Sequence, residues 1–418
     1  MTHKADVLII GGGAIGLSAA YYLQQSGRAV TVIDSREVAA GSSAGNAGHI
    51  VPSHIVPLAA PGIIGTALGW LLDTQNSPFG MRVSLDPAYL AWLMRFAAAC
   101  NQANVDGAIP AFKALGLLSA ANFARLIAAE GFDCAYSETG LLFLYKTQTA
   151  WGSGKHEAEL LHQHGLPAEV LDSAAVHERE PAARPDVIGG VHFTGDASLD
   201  PGRFLRQLAE RIQERGGVLH AHMPVTGFEV AGGRVMRVLT ASGDFAPEQV
   251  VLAAGAWSPR VVRDLGLSLP VQPARGYSLT ARAPRVMPRQ ALLLGERRVA
   301  VTPLGDRLRI TGRLELSGLD TTPSARHLAG IERAVRAYIV LDEPLSVEAT
   351  WAGLRPTTPD GVPLIGVSPR HANLIVATGH AMLGLSLGPG TGQVVAELAN
   401  GRSPSIDLRR FSLDWSVR

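Results

Sequence analysis

The feature that most limits what this chain can become is Gly11-Gly12-Gly13-Ala14-Ile15-Gly16, set directly behind the apolar run Val7-Leu8-Ile9-Ile10. Four aliphatic residues without alternation read as a strand buried on both faces. Leu17 to Gln25 reads as a helix that Gly27 stops, and Ala29 to Ile33 as a second buried strand ending on Asp34. Glycines at 11, 13 and 16 have the G-x-G-x-x-G spacing, and each has a physical task. Gly11 permits the tight turn, Gly13 admits a pyrophosphate to the backbone, and Gly16 lets helix and strand approach. Ala14 and Ile15 open the helix, whose free N–H groups and partial positive charge favour phosphate. Asp34, about 20 residues beyond the glycines, falls where a carboxylate accepts hydrogen bonds from ribose hydroxyls. Strand, glycines, helix, strand and acid occur in the required order, which a bare glycine-rich turn does not explain.

Composition narrows the class. A chain of 418 residues has room for two domains around a large core, and 46 glycines with only 17% charged residues suit an α/β enzyme. The net charge of +1 and the lack of Lys/Arg runs argue against a nucleic-acid partner. Cys100 and Cys134 cannot build a disulfide framework, and no His/Cys/Asp/Glu group has metal-ligand spacing. The first strand starts within a few residues of Met1, so no signal peptide is expected and a cytoplasmic protein is the simplest reading. One long uncharged stretch runs from Val38 to Leu72, between Glu37 and Asp73. Its prolines at 52, 57 and 61 oppose a spanning helix. Ala59 to Leu72 is apolar enough to touch a bilayer surface or cover a cofactor, and equally suits a buried connection.

Further along, Pro87 opens a helix through Cys100, with Tyr89, Leu90, Leu93, Phe96 and Ala97 at helical spacing, and a second helix spans about 109–129. Gly140 to Tyr145 reads as a strand, Glu157 to Gln163 as a helix, and Gly189 to Phe193 as a strand. The nucleotide-domain style returns at Asp200, with Pro201 starting a helix to Glu214 and a hairpin of 225–230 and 235–240 around Gly232-Gly233. The strand from Val250 ends on small residues, Ala253-Ala254-Gly255, which let a ligand lie close to the backbone. Alternating strands around 276–280, 299–302 and 308–311 form a second excursion. Two insertions into one nucleotide domain most economically build one second domain of antiparallel sheet and helices. The expected division is 1–80, 190–265 and 350–418 for the nucleotide domain, with 81–189 and 266–349 for the substrate domain. Trp351 to Gly361 reads as a polar, kinked loop, and Leu374 to His380 as a strand entering a loop. Gly388-Pro389-Gly390-Thr391-Gly392 then leads a helix that Asn400-Gly401 ends, a second helix start able to stabilise negative charge.

Assembled, these segments resemble the FAD-dependent amine and D-amino acid oxidoreductases, the glycine-oxidase-like family, and among them the bacterial D-amino acid dehydrogenases. The resemblance covers nearly the whole chain. It rests on Gly11/Gly13/Gly16 with Asp34, Ser43-Ala44-Gly45-Asn46-Ala47-Gly48, Gly276-Tyr277-Ser278-Leu279-Thr280, Trp351 to Gly361, and Thr378-Gly379-His380 through Gly392. It implies an α/β fold, a Rossmann-like FAD-binding domain plus an α+β substrate domain with a large antiparallel or mixed sheet. It also implies FAD with its ring between the domains. Ser42, Ser43, Asn46, Ala47 and Gly48 would pass the diphosphate and ring, and Val225 would present its backbone to adenine. Ala254, Gly255 and Trp257, with Gly353 and Gly379, would line the cofactor. The backbone of Gly384, Leu385, Ser386 and Leu387, ahead of a helix beginning near Thr391, would lie by flavin N1, where reduced flavin carries its negative charge.

Oxidising an amino acid to an imino acid removes the α-hydrogen as hydride, and requires a neutral amine. Arg355 is the candidate carboxylate ligand, because its rigid fork matches a carboxylate where Lys acts as a point charge. An arginine in a domain-interface salt bridge is the plain alternative. Tyr277 would offer its hydroxyl to the same carboxylate, and fits equally a packed strand residue. His49, just after the flavin-proximal loop, would hydrogen-bond substrate or gate the site; a purely structural histidine explains it as well. Where some relatives carry a second arginine after the Gly-His, this chain has Met382, which leans toward an apolar or aromatic substrate side chain. Relatives with covalent flavin use a cysteine near the Arg-Pro loop, and neither cysteine lies there, so non-covalent FAD is expected. The implied reaction is oxidative deamination of a D-amino acid to a 2-oxo acid and ammonia, with electrons passed to a quinone or dye-type acceptor. Peripheral contact with the cytoplasmic face of the inner membrane goes with it. An oxygen-using oxidase of the same fold, and a non-catalytic flavoprotein or membrane-docked interaction subunit, are the alternatives.

Overall fold

The computed structural model describes residues 2–72, 77–341, 344–415 and 418. Its first strand, β1 (Thr2–Ile10), is apolar and buried at Val7–Ile10, and so needs cover on both faces. It receives a parallel partner on each side, β2 (Val30–Ile33) and Asp244–Leu252. Val218–His220 extends this sheet beyond β2, and Leu374–Thr378 adds a further parallel strand beside Asp244–Leu252. The hairpin Val225–Ala231/Arg234–Thr240 and the strand Leu364–Val367 complete eight strands.

Between β1 and β2 the chain makes α1 (Ala14–Gln25), three residues longer at its start than the sequence indicates, because the glycine turn feeds it directly. A Cβ at Gly16 would sit 1.8 Å from the Gly11 carbonyl oxygen, so glycine there is what lets α1 lie on β1. Pro201–Glu214 and Gly388–Ala399 cover the same region, burying Leu17, Phe204, Leu208 and Val395 in one core. Asp200 caps the former through two backbone amides. Gly390 and Gly392 face Ser119 and Ser18 so closely that a Cβ would fall within 3 Å of each. The Gly-Pro-Gly-Thr-Gly run thus also serves close helix packing. Gln102–Glu130 is long and apolar enough to cross a membrane. Here it carries Pro110 and buries Leu115, Phe123 and Leu126 within the protein.

The second sheet is mixed and mainly antiparallel. Its order is Val347–Thr357, Gln272–Arg282, Arg307–Leu316, Val299–Pro303, Ala291–Leu294, Leu141–Tyr145, Gly189–Phe193 and Glu169–Asp172, with Phe79–Met81 beside Arg307–Leu316. The helix Ala325–Tyr338 packs on it through Ile331 and Val335. Trp351 to Thr357 is therefore strand where the sequence reads as loop. It pairs from Thr357↔Gln272 onward, and Pro356 is tolerated because the strand is at the sheet edge. The strands straddling the expected boundaries at 190 and 350 both pair in this sheet, so the chain changes sheets after 193 and after 357.

A two-stranded clip, His49–Ile50 with Ala197–Ser198, lies apart from both sheets. The uncharged stretch divides in two. Val51, Ile55 and Ala59 are buried, whereas the helix Ile63–Leu72 exposes Ile64 and Leu68. Asp73, which closes that stretch in sequence, lies outside the described residues.

Candidate functional site

Where the small residues of the first sheet's strand ends meet the second sheet, they leave a cavity of about 460 Å³. Gly11 turns the chain at φ +112°, a conformation open essentially to glycine alone, and its N–H donates to the Ile33 carbonyl at 2.8 Å. Gly13 offers α1 no side-chain cap, and Ala14 N–H alone is taken by Ser43 Oγ at 3.0 Å. Asp34 holds the turn from the other side, accepting Gly12 N–H at 2.7 Å and Arg36 N–H at 2.9 Å. A helix start without a side-chain cap, with Asp34 held on the Gly12 amide, suits phosphate.

The residues proposed for cofactor contact divide cleanly. Gly11, Gly13, Ala14, Ile15, Asp34, Ser42, Ser43, Asn46, Ala47, Val225, Ala254, Gly255, Trp257, Gly353, Gly384 and Leu385 line the cavity. Gly16, Gly48, Gly379, Ser386 and Leu387 are not among its lining residues. Gly48 sits at φ +87° with its Cβ position 2.0 Å from the Leu199 carbonyl, so it permits a backbone crossing. Gly379, at φ +80°, turns the chain against Thr358. Ser386 accepts Val51 N–H at 2.8 Å, and Leu387 is core.

Of the reacting-group candidates, Arg355 and His49 line the cavity and Tyr277 does not. Strand alternation decides this. Gly276 faces the Arg355 guanidinium, so its neighbour Tyr277 must face away, into the core beneath the helix Ala325–Tyr338. There its hydroxyl donates to Glu315 Oε2 at 2.7 Å, alongside Arg275. Tyr277 is thus corrected to a structural residue. Arg355 donates Nη1 to the Arg313 carbonyl at 2.6 Å and has no carboxylate partner among the described residues. Burial draws it down to about 10, which leaves it charged at neutral pH. His49 Nε2 is paired with Thr302 Oγ1 at 2.9 Å, and burial, then His54, push it down to about 3, so the ring is neutral.

Several cavity residues stand outside the sequence motifs. Arg298, Thr311 and His54 line it from separate elements, and Thr311 Oγ1 is buried without a partner. Arg36 stands 4.6 Å over the Trp257 ring and is tied to Asp34 through its N–H. Buried Arg309, from the second sheet, donates to the carbonyls of Ala44 and Asn46 at 3.1 and 2.8 Å. It fixes the 42–48 loop along the cavity. The glycine cradle, the acid, and an orphaned hydroxyl on the facing sheet together fit an elongated dinucleotide with a reactive ring between the sheets. No cluster of potential metal ligands occurs among the described residues.

His380, 2% exposed, pairs Nε2 with Thr391 Oγ1 at 3.1 Å, and burial pushes it down to about 3. Unfolded histidine titrates near 6.5, so below that pH the unfolded chain binds a proton that the native ring refuses. Stability contributed by this ring is therefore complete above about 6.5 and falls on acidification, by about 2 kcal/mol at pH 5. The expected result is a melting temperature a few degrees lower at pH 5 than at pH 7. His380→Gln should lessen this slope, His49 and His54 supplying the rest, and an equally steep variant would refute the assignment.

Comparison with known proteins places these features in context. A family model described as FAD dependent oxidoreductase matches residues 6–398. A D-amino acid dehydrogenase of Xanthobacter autotrophicus is 34% identical, over 97% of this chain and 98% of its own. One of Methylobacterium sp. is 35% identical over the same shares. Among solved structures, glycine oxidase from Geobacillus kaustophilus superposes with TM-score 0.81 and 25% identity, covering 99% of both chains.

Proposed function

The chain belongs to the FAD dependent oxidoreductase family, and from that premise we propose that it oxidises D-amino acids to imino acids, which hydrolyse to 2-oxo acids and ammonia. The observation that carries this reading is Arg355, a desolvated cation on the cavity wall without a protein carboxylate beside it. An unpaired buried charge is costly, and a substrate carboxylate satisfies it bidentately. FAD supplies the two-electron acceptor when bound. The glycine cradle, Asp34 and Val225 would hold its adenosine side, while Trp351, Gly353 and Met382–Leu385 would wall the ring side. Neutral His49, braced by Thr302, offers the substrate a hydrogen bond without adding a charge beside its amine. The D preference follows the relatives' names.

Anaerobic mixing with D- and L-amino acid panels tests the reading. Flavin absorbance should bleach with D-enantiomers, and protein bleached by no amino acid would end it. Neither Cys100 nor Cys134 lines the cavity, so a dissociable flavin is the expected outcome. Acid precipitation should leave it in the supernatant.

The acceptor in this reading is a membrane quinone, and the protein binds peripherally to the cytoplasmic face of the inner membrane. Support comes from an apolar surface around the helix Ile63–Leu72, which carries no charged residue. Leu68 is 60% exposed, and nearby in the chain Val83 and Leu85 are 87% and 85% exposed, with Met81 and Met94 also outward. Apolar residues gathered this way mark contact surfaces. Leu68→Glu with Val83→Glu should lower sedimentation with anionic vesicles by about 10-fold and leave turnover with a soluble dye unchanged. Undiminished vesicle binding would remove this part, and stoichiometric peroxide under air would identify oxygen as the acceptor.

A further inference from the structure

The clip His49–Ile50/Ala197–Ser198 brings together two segments that are distant in sequence. Just beyond one strand lie Ser53 and His54, and just before the other lies Asp196. Ser53 N–H donates to Asp196 Oδ1 at 3.2 Å, and Ser53 Oγ–H donates to Oδ2 at 2.6 Å. Both carboxylate oxygens are thereby engaged by one residue, and Asp196 is only 2% exposed. The same Ser53 Oγ lies 3.2 Å from His54 Nδ1. A hydroxyl has one hydrogen, and while Asp196 is ionised the short contact directs it at that carboxylate. Nδ1 must then be the donor toward Oγ, which leaves Nε2 of the neutral ring with its lone pair bare. Nε2 has no partner among the described residues, and His54 is on the cavity wall.

We propose that His54, Ser53 and Asp196 form a proton relay that removes the ammonium proton of the amino-acid substrate before its α-hydrogen is lost. This rests on the reading of the cavity as an amino-acid oxidation site. One substrate N–H bond breaks, its electron pair stays on nitrogen, and Nε2–H forms on His54. The Nδ1 proton passes to Ser53 Oγ as the Ser53 proton passes to Asp196 Oδ2. The net change is a neutral amine and a protonated Asp196. Once product leaves, the proton returns along the same three groups to water in the cavity.

The surroundings match this division of labour. Burial, with Glu157 of the helix Gln148–Gln163 adding to it, pushes Asp196 up to about 7, so it can hold a proton at working pH. Burial, then Arg298, push His54 down to about 4, so the ring conducts the proton without storing it. His49 on the clip also faces the relay, and Tyr145 of the strand Leu141–Tyr145 lies beyond it, coupled to Glu157 and Arg298. Burial holds Tyr145 protonated and His49 neutral. His54 and Asp196 thus differ in the sense a conduit and a sink require.

The test is the rate of anaerobic flavin bleaching by a D-amino acid, followed from about pH 6 to 10, in the parent, Ser53→Ala and Asp196→Asn holoenzymes. The parent rate should rise with an apparent pKa near 7. Both variants should fall about 10²-fold at neutral pH and recover toward the parent at about pH 10, where the free amine no longer needs the relay. A loss equal at every pH marks a merely structural role and overturns the proposal, as does an unchanged profile. Infrared titration of the parent gives a second readout. A protonated-carboxyl band with a midpoint near 7 that is absent from Asp196→Asn supports the relay, and one gone by pH 5 overturns it. If no amino acid bleaches the parent while that band titrates as expected, the substrate reading fails and not the proton chain.

Discussion

Arg355→Ala is expected to lower kcat/KM for the preferred D-amino acid by about 10³-fold, roughly 4 kcal/mol of transition-state stabilisation. The guanidinium is anchored on one side by the Arg313 carbonyl, and it packs over Gly276, where any Cβ would lie within 2.6 Å of it. That anchoring pre-pays the cost of orienting the charge, so the loss should appear in both KM and kcat. A carboxylate no longer held in register also misaligns the α-hydrogen. Arg355→Lys keeps the charge and loses the fork, and should recover only part of the difference. The visible spectrum of the bound flavin should persist in both variants, because Arg355 does not hold the dinucleotide cradle. Parent-like kinetics in Arg355→Ala would remove the residue from the site.

Gly11→Ala should abolish cofactor retention. At φ +112° an L-residue is strained by about 1–3 kcal/mol wherever it sits. Here the added carbon also meets the Ala253 carbonyl oxygen at 2.4 Å, a backbone atom of the neighbouring parallel strand that cannot swing aside. Relief requires prising the turn away from Asp244–Leu252, which moves the Gly13 to Ile15 amides off the phosphate position. We expect colourless protein after gel filtration and a melting temperature lowered by several degrees. Gly27→Ala is the control. It has φ +87° with open space around it, and should cost about 1 kcal/mol and stay yellow. Yellow Gly11→Ala protein of parent stability would show that this turn does not set the cradle.

The opening unit was legible in the sequence because local chemistry and tertiary demand agree there. An uninterrupted aliphatic run needs cover on both faces, and Gly11 and Gly16 answer steric constraints that the structure shows. Arg355 was legible as a residue but not as a strand residue. Pro356 and the polar Thr357-Thr358 imitate a loop, and only pairing with a strand distant in sequence overrides them. Tyr277 failed for a related reason. A one-residue step along a strand reverses the side chain, and five apolar and polar residues in a row do not say which face is wet. Thr311 and Arg298 were invisible because each is isolated in sequence. The folded sheets alone bring them to one wall. The apolar helix Ile63–Leu72 shows the reverse case, where composition admitted burial or exposure and packing selected exposure.

Arg309 has a practical consequence for anyone exchanging parts between relatives. Its side chain grows from the second sheet, is braced by Thr280, and grips two carbonyls of a segment that sequence order assigns to the other lobe. Trp351 adds to this grip, wedged so tightly on Gly45 and Gly353 that neither can bear a methyl group. A chimera that imports a foreign substrate lobe but retains native residues 42–48 would therefore join mismatched halves of a single fitting. Transplants that carry this short loop along with the incoming lobe stand to keep their flavin seated.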